Sequence, residues 1–164
     1  MSTTMAKIRI ESTKSNDKFI YDDGGRAQAG FDGLAGDCVT RSIAIAAEKP
    51  YLEVYRDMAN LNQSYRGRSK SKGRRTARNG IVTSSVAFKR YMTALGFTWT
   101  ATMKIGTGCR VHLRADELPT GRLVVRVSKH MTAVIDGKIR DTFDPRREVG
   151  GIERRCVYGY WRMK

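Results

Sequence analysis

With 164 residues, the chain is long enough for one domain with a substantial core and short for two independent ones. Hydrophobic residues make up 40%, which excludes the composition of disordered chains, and no apolar run approaches the ~18 residues of a membrane span. The formal net charge of +15 implies attraction to anionic partners such as nucleic acid or acidic protein surfaces, and carries no information about fold.

In chain order, residues 6–21, AKIRIESTKSNDKFIY, alternate weakly and predict one or two short strands. DDGGRAQAGFDGLAGD, residues 22–37, reads as a glycine-rich loop that ends on Asp37, a helix N-cap residue type. Behind Asp37, the positions Val39, Ile43, Ala46 and Ala47 recur at helical spacing, so Cys38 falls in the first turn of a helix. Pro50 suits the start of a second helix, whose apolar face is Tyr51, Val54, Tyr55, Met58 and Leu61.

The segment RGRSKSKGRRTAR, residues 66–78, carries seven basic side chains in thirteen positions and no acidic one. It predicts a mobile basic loop over 63–80. From Met58 to Ala115 there are twelve Lys or Arg and no Asp or Glu, a one-sign tract that would steer an anionic partner. Arg66, Arg68, Lys70, Lys72, Arg74, Arg75 and Arg78 are its candidate contacts with nucleic acid or an acidic protein. VTSSVAFKRYMTALG predicts a third helix, with Val86, Tyr91 and Leu95 among its apolar positions and Gly96 as its stop.

Beyond Gly96 the period changes from 3.6 to 2. FTWTATMKI and RLVVRV predict strands, DELPTG a turn, and CVYGYWRM a last strand. HMTAVIDGKIRDTF is the clearest hairpin, with Asp136-Gly137 as a two-residue turn of type I′. Helices first and strands afterwards make an α+β order, here one domain over 1–164 with helices packed on a C-terminal antiparallel sheet.

The chemistry gathers on three positions. A helix N-terminus stabilises a thiolate, which marks Cys38 as a nucleophile. Counting outward from the Asp-Gly turn pairs Ile135 with Lys138, Thr132 with Asp141 and His130 with Phe143. Asp141 is then diagonal to His130 on one face of the hairpin, within reach to orient the imidazole as a base.

GDCVTRSIAIA and HMTAVIDGKIRDTFDP resemble the nucleophile helix and the His-Asp strands of papain-like cysteine peptidases. The likeness is strongest to small bacterial and phage-encoded members and to bacteriocin-processing peptidases. It implies a papain-like fold and a thiol protease with Cys38, His130 and Asp141 as its triad, acting on a peptide or isopeptide bond. It also implies an oxyanion donor about six residues before the cysteine, where this chain has Asp32. An ionised carboxylate cannot donate, so Gln28 in the same loop or the backbone N–H of Cys38 are the alternatives. The same three residues would also serve an acyltransferase or a deamidase, and a non-catalytic nucleic-acid-binding protein is the rival from another class.

Three cysteines without dense spacing predict reduced thiols, and an N-terminus without an apolar leader predicts a cytosolic protein. Cys109 and His112 form half of a zinc pattern that lacks a second close pair, so neither metal nor cofactor is expected.

Overall fold

The computed structural model describes residues 18–33, 36–64 and 81–164. It is an α+β protein with helices on one face of a six-stranded sheet. In chain order the elements are β1 (Phe19–Tyr21), α1 (Cys38–Ala47), α2 (Tyr51–Ser64), α3 (Val86–Ala94), β2 (Phe97–Ala101), β3 (Arg122–Val127), β4 (His130–Ile135), β5 (Lys138–Asp141), β6 (Glu148–Val149), β7 (Ile152–Glu153) and β8 (Val157–Met163). The sheet runs β1-β5-β4-β3-β8-β2, and β6 with β7 forms a separate small hairpin.

The sheet is mixed, where an antiparallel one was expected. β1 lies parallel to β5, with Phe19 opposite Ile139 and Tyr21 opposite Asp141. A strand that precedes the helices in the chain returns to the sheet edge, and the β1–β5 pairing continues as the Asp22 N–H donates to the Asp141 carbonyl at 2.9 Å. The hairpin of β4 and β5 has the register that its turn dictates, Ile135 opposite Lys138 and Val134 opposite Ile139. Asp136 and Gly137 both have positive φ, as type I′ requires.

Alternation along the strands divides the core into two clusters. Val124, Met131 and Trp161 face the helices, where they meet Ile43, Val54, Met58, Phe88 and Met92. Leu123, Val125, Val127, Val134 and Ile139 face the other way and are covered by Leu113 and Leu118. Burial on both faces explains why RLVVRV reads as a near-continuous apolar run. In α3 the buried residues are Phe88 and Met92, whereas Val86 is exposed and Tyr91 is half-buried, its hydroxyl donating to Asp57 at 2.9 Å. Ser85 caps this helix by accepting from the Phe88 N–H.

Arg122, at the start of β3, sets the direction of α1. Its guanidinium donates to the Ala46 carbonyl at 2.6 Å and to the Ile45 carbonyl at 2.8 Å, satisfying the helix C-terminus. The N-terminus of α1 therefore lies at the opposite end of the sheet, where β4 begins with His130 and β5 ends with Asp141. Gly24 lets the preceding loop close over this helix, since a Cβ there would come within 3.1 Å of the Arg41 carbonyl.

The cysteines depart from expectation. Cys109 and Cys156 are disulfide-bonded, leaving Cys38 as the free thiol. An isolated antiparallel bridge pairs His112 with Cys156 and draws the two segments together. Among the described residues no helix is long and apolar enough to cross a membrane. α2 continues through Ser64, so the first two positions assigned to the basic loop are helical. Its candidate contacts, from Arg66 to Arg78, lie outside the described residues.

Candidate active site

Cys38 is the first residue of α1, and its thiol is close enough to the His130 ring and the Met131 backbone N–H for both to favour the thiolate. His130 opens β4, and its Nε2 lies 2.7 Å from Asp141 Oδ2. With Nε2 occupied, Nδ1 is the ring nitrogen left for sulfur. The other Asp141 oxygen accepts from the Thr142 N–H at 2.7 Å and stands 3.4 Å from Arg41 Nη2, so backbone, imidazole and guanidinium all hold the carboxylate. The structure thus brings together the three residues that the sequence singled out. Phe143 stacks on His130 with ring centroids 4.9 Å apart and covers one side of the His130–Asp141 pair.

The protonation states follow from this packing. Burial pushes the Cys38 thiol up, but the hydrogen bonds from His130 and Met131 and the charges of His130 and Arg41 outweigh it, and the net direction is down. Burial works against the His130 charge too. The bonds to Asp141 and Cys38 overcome that penalty and raise its pKa to about 9. Burial opposes ionisation of Asp141 as well, and the hydrogen bond and charge of His130 turn its shift downward. The favoured state is a thiolate–imidazolium pair backed by a carboxylate.

Beneath the nucleophile lies a cluster that sequence reasoning missed. Asp37 is 1% exposed and does not cap α1 with its side chain. Its carboxylate instead pairs with Arg41 one turn on, with Arg26 at 3.1 Å, and accepts from the Tyr51 hydroxyl. Burial and the bond to Asp37 push the Tyr51 phenol upward, which keeps it a donor. Arg41 is 5% exposed and spans Asp37 and Asp141, so the helix start and the end of β5 share one guanidinium. The signal was present in the sequence: Asp37 and Arg41 are four apart, and Arg41 is the one charged residue in CVTRSIAIAA.

Arg26 also organises the loop before Cys38. It donates to the carbonyls of Phe31 at 3.0 Å, Asp32 at 3.0 Å and Gly33 at 2.8 Å while paired with Asp37. Asp32 and Gln28, the two side chains considered for the oxyanion, are exposed on this loop, and Asp32 contributes its carbonyl to Arg26. The first intrahelical bond of α1 runs from the Arg41 N–H to the Asp37 carbonyl, so the N–H groups of Cys38, Val39 and Thr40 have no partner within the helix. With the Asp37 side chain drawn inward, the Cys38 N–H is the backbone donor beside the sulfur.

The Cys109–His112 half-pattern is taken up by other contacts, because Cys109 is in the disulfide and the His112 ring lies 3.2 Å from Glu117. No group of three or more potential metal ligands occurs among the described residues. Compared with family models, curated proteins and solved structures, the chain matches none.

Proposed function

We propose that the protein is a papain-like cysteine hydrolase in which Cys38 is the nucleophile, His130 carries the proton and Asp141 orients His130. The observation that supports this reading most is the 2.7 Å contact from His130 Nε2 to Asp141, with the Cys38 thiol near enough to the same ring to raise its pKa. The thiolate adds to the carbonyl carbon of a peptide or isopeptide bond, forming an S–C bond as the carbonyl electron pair moves onto oxygen. The Cys38 backbone N–H is the donor nearest to that oxyanion. On collapse the C–N bond breaks and the His130 imidazolium protonates the departing nitrogen. Water, deprotonated by His130, then attacks the thioester, and C–S cleavage releases an acid and regenerates the thiolate. A second nucleophile in place of water would make the same site a transferase, and a primary amide substrate would make it a deamidase.

The basic tract around Arg66 to Arg78 favours an acidic or nucleic-acid-associated protein as substrate, on charge alone. A cytosolic setting belongs to the same proposal. The Cys109–Cys156 bridge counts against that setting, because the cytosol keeps most thiols reduced.

The test is the rate of Cys38 alkylation by iodoacetamide over a pH series, with intact protein and with His130→Ala. Fast labelling at neutral pH that falls by about tenfold or more in the variant is expected, because the thiolate loses its counter-charge. A thiol that labels with an ordinary pH dependence in both proteins would overturn the proposal and favour a non-catalytic nucleic-acid-binding protein.

A further inference from the structure

On the helix-covered face of the sheet, reached from His130 by the next residue of β4, Met131, is a cavity of about 130 Å³ lined by Thr83, Ser84, Lys89, Trp99, Arg126, Met131 and Trp161. Its position follows from the register. Arg126 pairs with Met131 as Val127 pairs with His130, and the Met131 N–H is among the groups near enough to Cys38 to favour its thiolate. A substrate whose acyl carbon reaches Cys38 therefore has a neighbouring side chain at this opening. The volume falls well below the ~300–1,000 Å³ typical of pockets that enclose whole ligands, so it suits one side chain.

The chemistry of the lining is one-sided. Trp99 and Trp161 pack with centroids 5.3 Å apart and present an indole floor for methylene groups. Trp99 lies flat over Gly159, where a Cβ would come within 2.4 Å of its ring, so the glycine fixes the height of that floor. Lys89 and Arg126 are both exposed at the cavity and form no ion pair with any described residue. No acidic side chain is among its lining residues. Two cations with no ion-pair partner among the described residues, above an apolar floor, are complementary to a short aliphatic stem that ends in a carboxylate.

We infer that this cavity is a specificity subsite for an acidic side chain of the substrate, adjacent to the bond cleaved, with Arg126 and Lys89 binding its carboxylate. The inference rests on the hydrolase proposal above and narrows its substrate class.

Epoxysuccinyl peptides carrying Glu or its isostere Gln, on either arm of the epoxide, test it. The Cys38 thiolate opens the ring, forming S–C as C–O breaks, and the alkoxide takes a proton from His130. Faster labelling by the Glu reagent on one arm, by about tenfold, is expected. That preference should fall to about onefold in the double variant Arg126→Gln with Lys89→Gln, each epoxide rate being divided by the same protein's iodoacetamide rate. Equal rates for Glu and Gln on both arms, with iodoacetamide reactivity intact, would overturn the subsite and leave the hydrolase reading in place. Equal rates with labelling slowed by single-stranded oligothymidylate, and that slowing lost in the double variant, would reassign these cations to nucleic acid. A Cys38 unreactive toward iodoacetamide at neutral pH would remove both readings together.

Discussion

The two ends of α1 are built on opposite terms. At its C-terminus every device is used to close the helix: Arg122 donates to two carbonyls, Glu48 takes a left-handed conformation at φ 53°, and the N–H groups of Glu48 and Lys49 return to Ile45 and Ala44. At its N-terminus the residue best suited to capping turns away, and Asp37 spends its carboxylate on Arg26, Arg41 and Tyr51. One end anchors the helix and the other leaves backbone donors open beside a thiol. The difference teaches that an N-cap residue type marks where a helix starts without telling what its side chain does there.

Breaking the reactive end should have the largest effect. In the proposed mechanism His130→Ala removes both the acid and the base, and turnover of a peptide or isopeptide substrate is expected to fall by about 10²–10⁴-fold, measured as kcat/KM. Thermal unfolding is expected to shift as well, since the substitution takes the imidazole from the buried Asp141 carboxylate, so kcat/KM is compared per folded protein. A fall in kcat/KM that simply tracked lost folded protein would contradict the assigned role.

The next largest effect is expected from Arg41→Met. It keeps the helix and most of the volume but strips one guanidinium from both Asp37 and Asp141, two carboxylates each at most 3% exposed. Removing one member of a buried ion network costs about 3–5 kcal/mol. The midpoint of urea unfolding should move accordingly. An unchanged midpoint would show that Arg26 and Tyr51 suffice for Asp37, and His130 and the Thr142 N–H for Asp141. By contrast, Arg122→Ala at the anchored end removes two hydrogen bonds to backbone and an ion pair with a largely exposed Glu48, worth about 1–3 kcal/mol. Cys38 alkylation should keep its rate in that variant, because the change is at the far end of the helix.

The same contrast accounts for what could be read in the sequence. Cys38, His130 and Asp141 were legible because local rules place them: a cap residue before an apolar helix, and an Asp-Gly turn that fixes register residue by residue. The parallel pairing of β1 with β5 was not, since a three-residue strand has too little alternation to name its partner. The β6–β7 hairpin had a Gly-Gly turn in EVGGIE that went unread, as its strands are only two residues long. Arg26 and Arg41 blended into a basic chain of 31 Lys and Arg, where composition argues for solvated charge. Only the fold shows that these two are turned inward to carboxylates. The Cys109–Cys156 pairing depends on two loops meeting 47 residues apart, which spacing alone does not encode.

The finest resolution of the comparison comes from pH. His130 has its pKa raised to about 9, so the imidazolium persists through neutral pH and is lost as pH rises through that value. The stabilisation from its pairing is accordingly full below the ~6.5 of an unfolded histidine and disappears through about 9. Cys38 is shifted the other way, so the acid limb of activity reports protonation of the thiolate below the ordinary thiol range. A bell-shaped kcat/KM profile with its alkaline limb near 9 is expected. Asp141→Asn keeps the shape of the side chain and removes its charge. The imidazolium then loses its partner, and the alkaline limb should move about 1–3 pH units lower. With the imidazolium less available as counter-charge, the acid limb should rise and the bell narrow from both sides. Because the two groups titrate as a pair, a shift of only one limb would mean that sulfur and imidazole do not share a proton, and the site would lose the coupling on which nucleophilic attack at neutral pH depends.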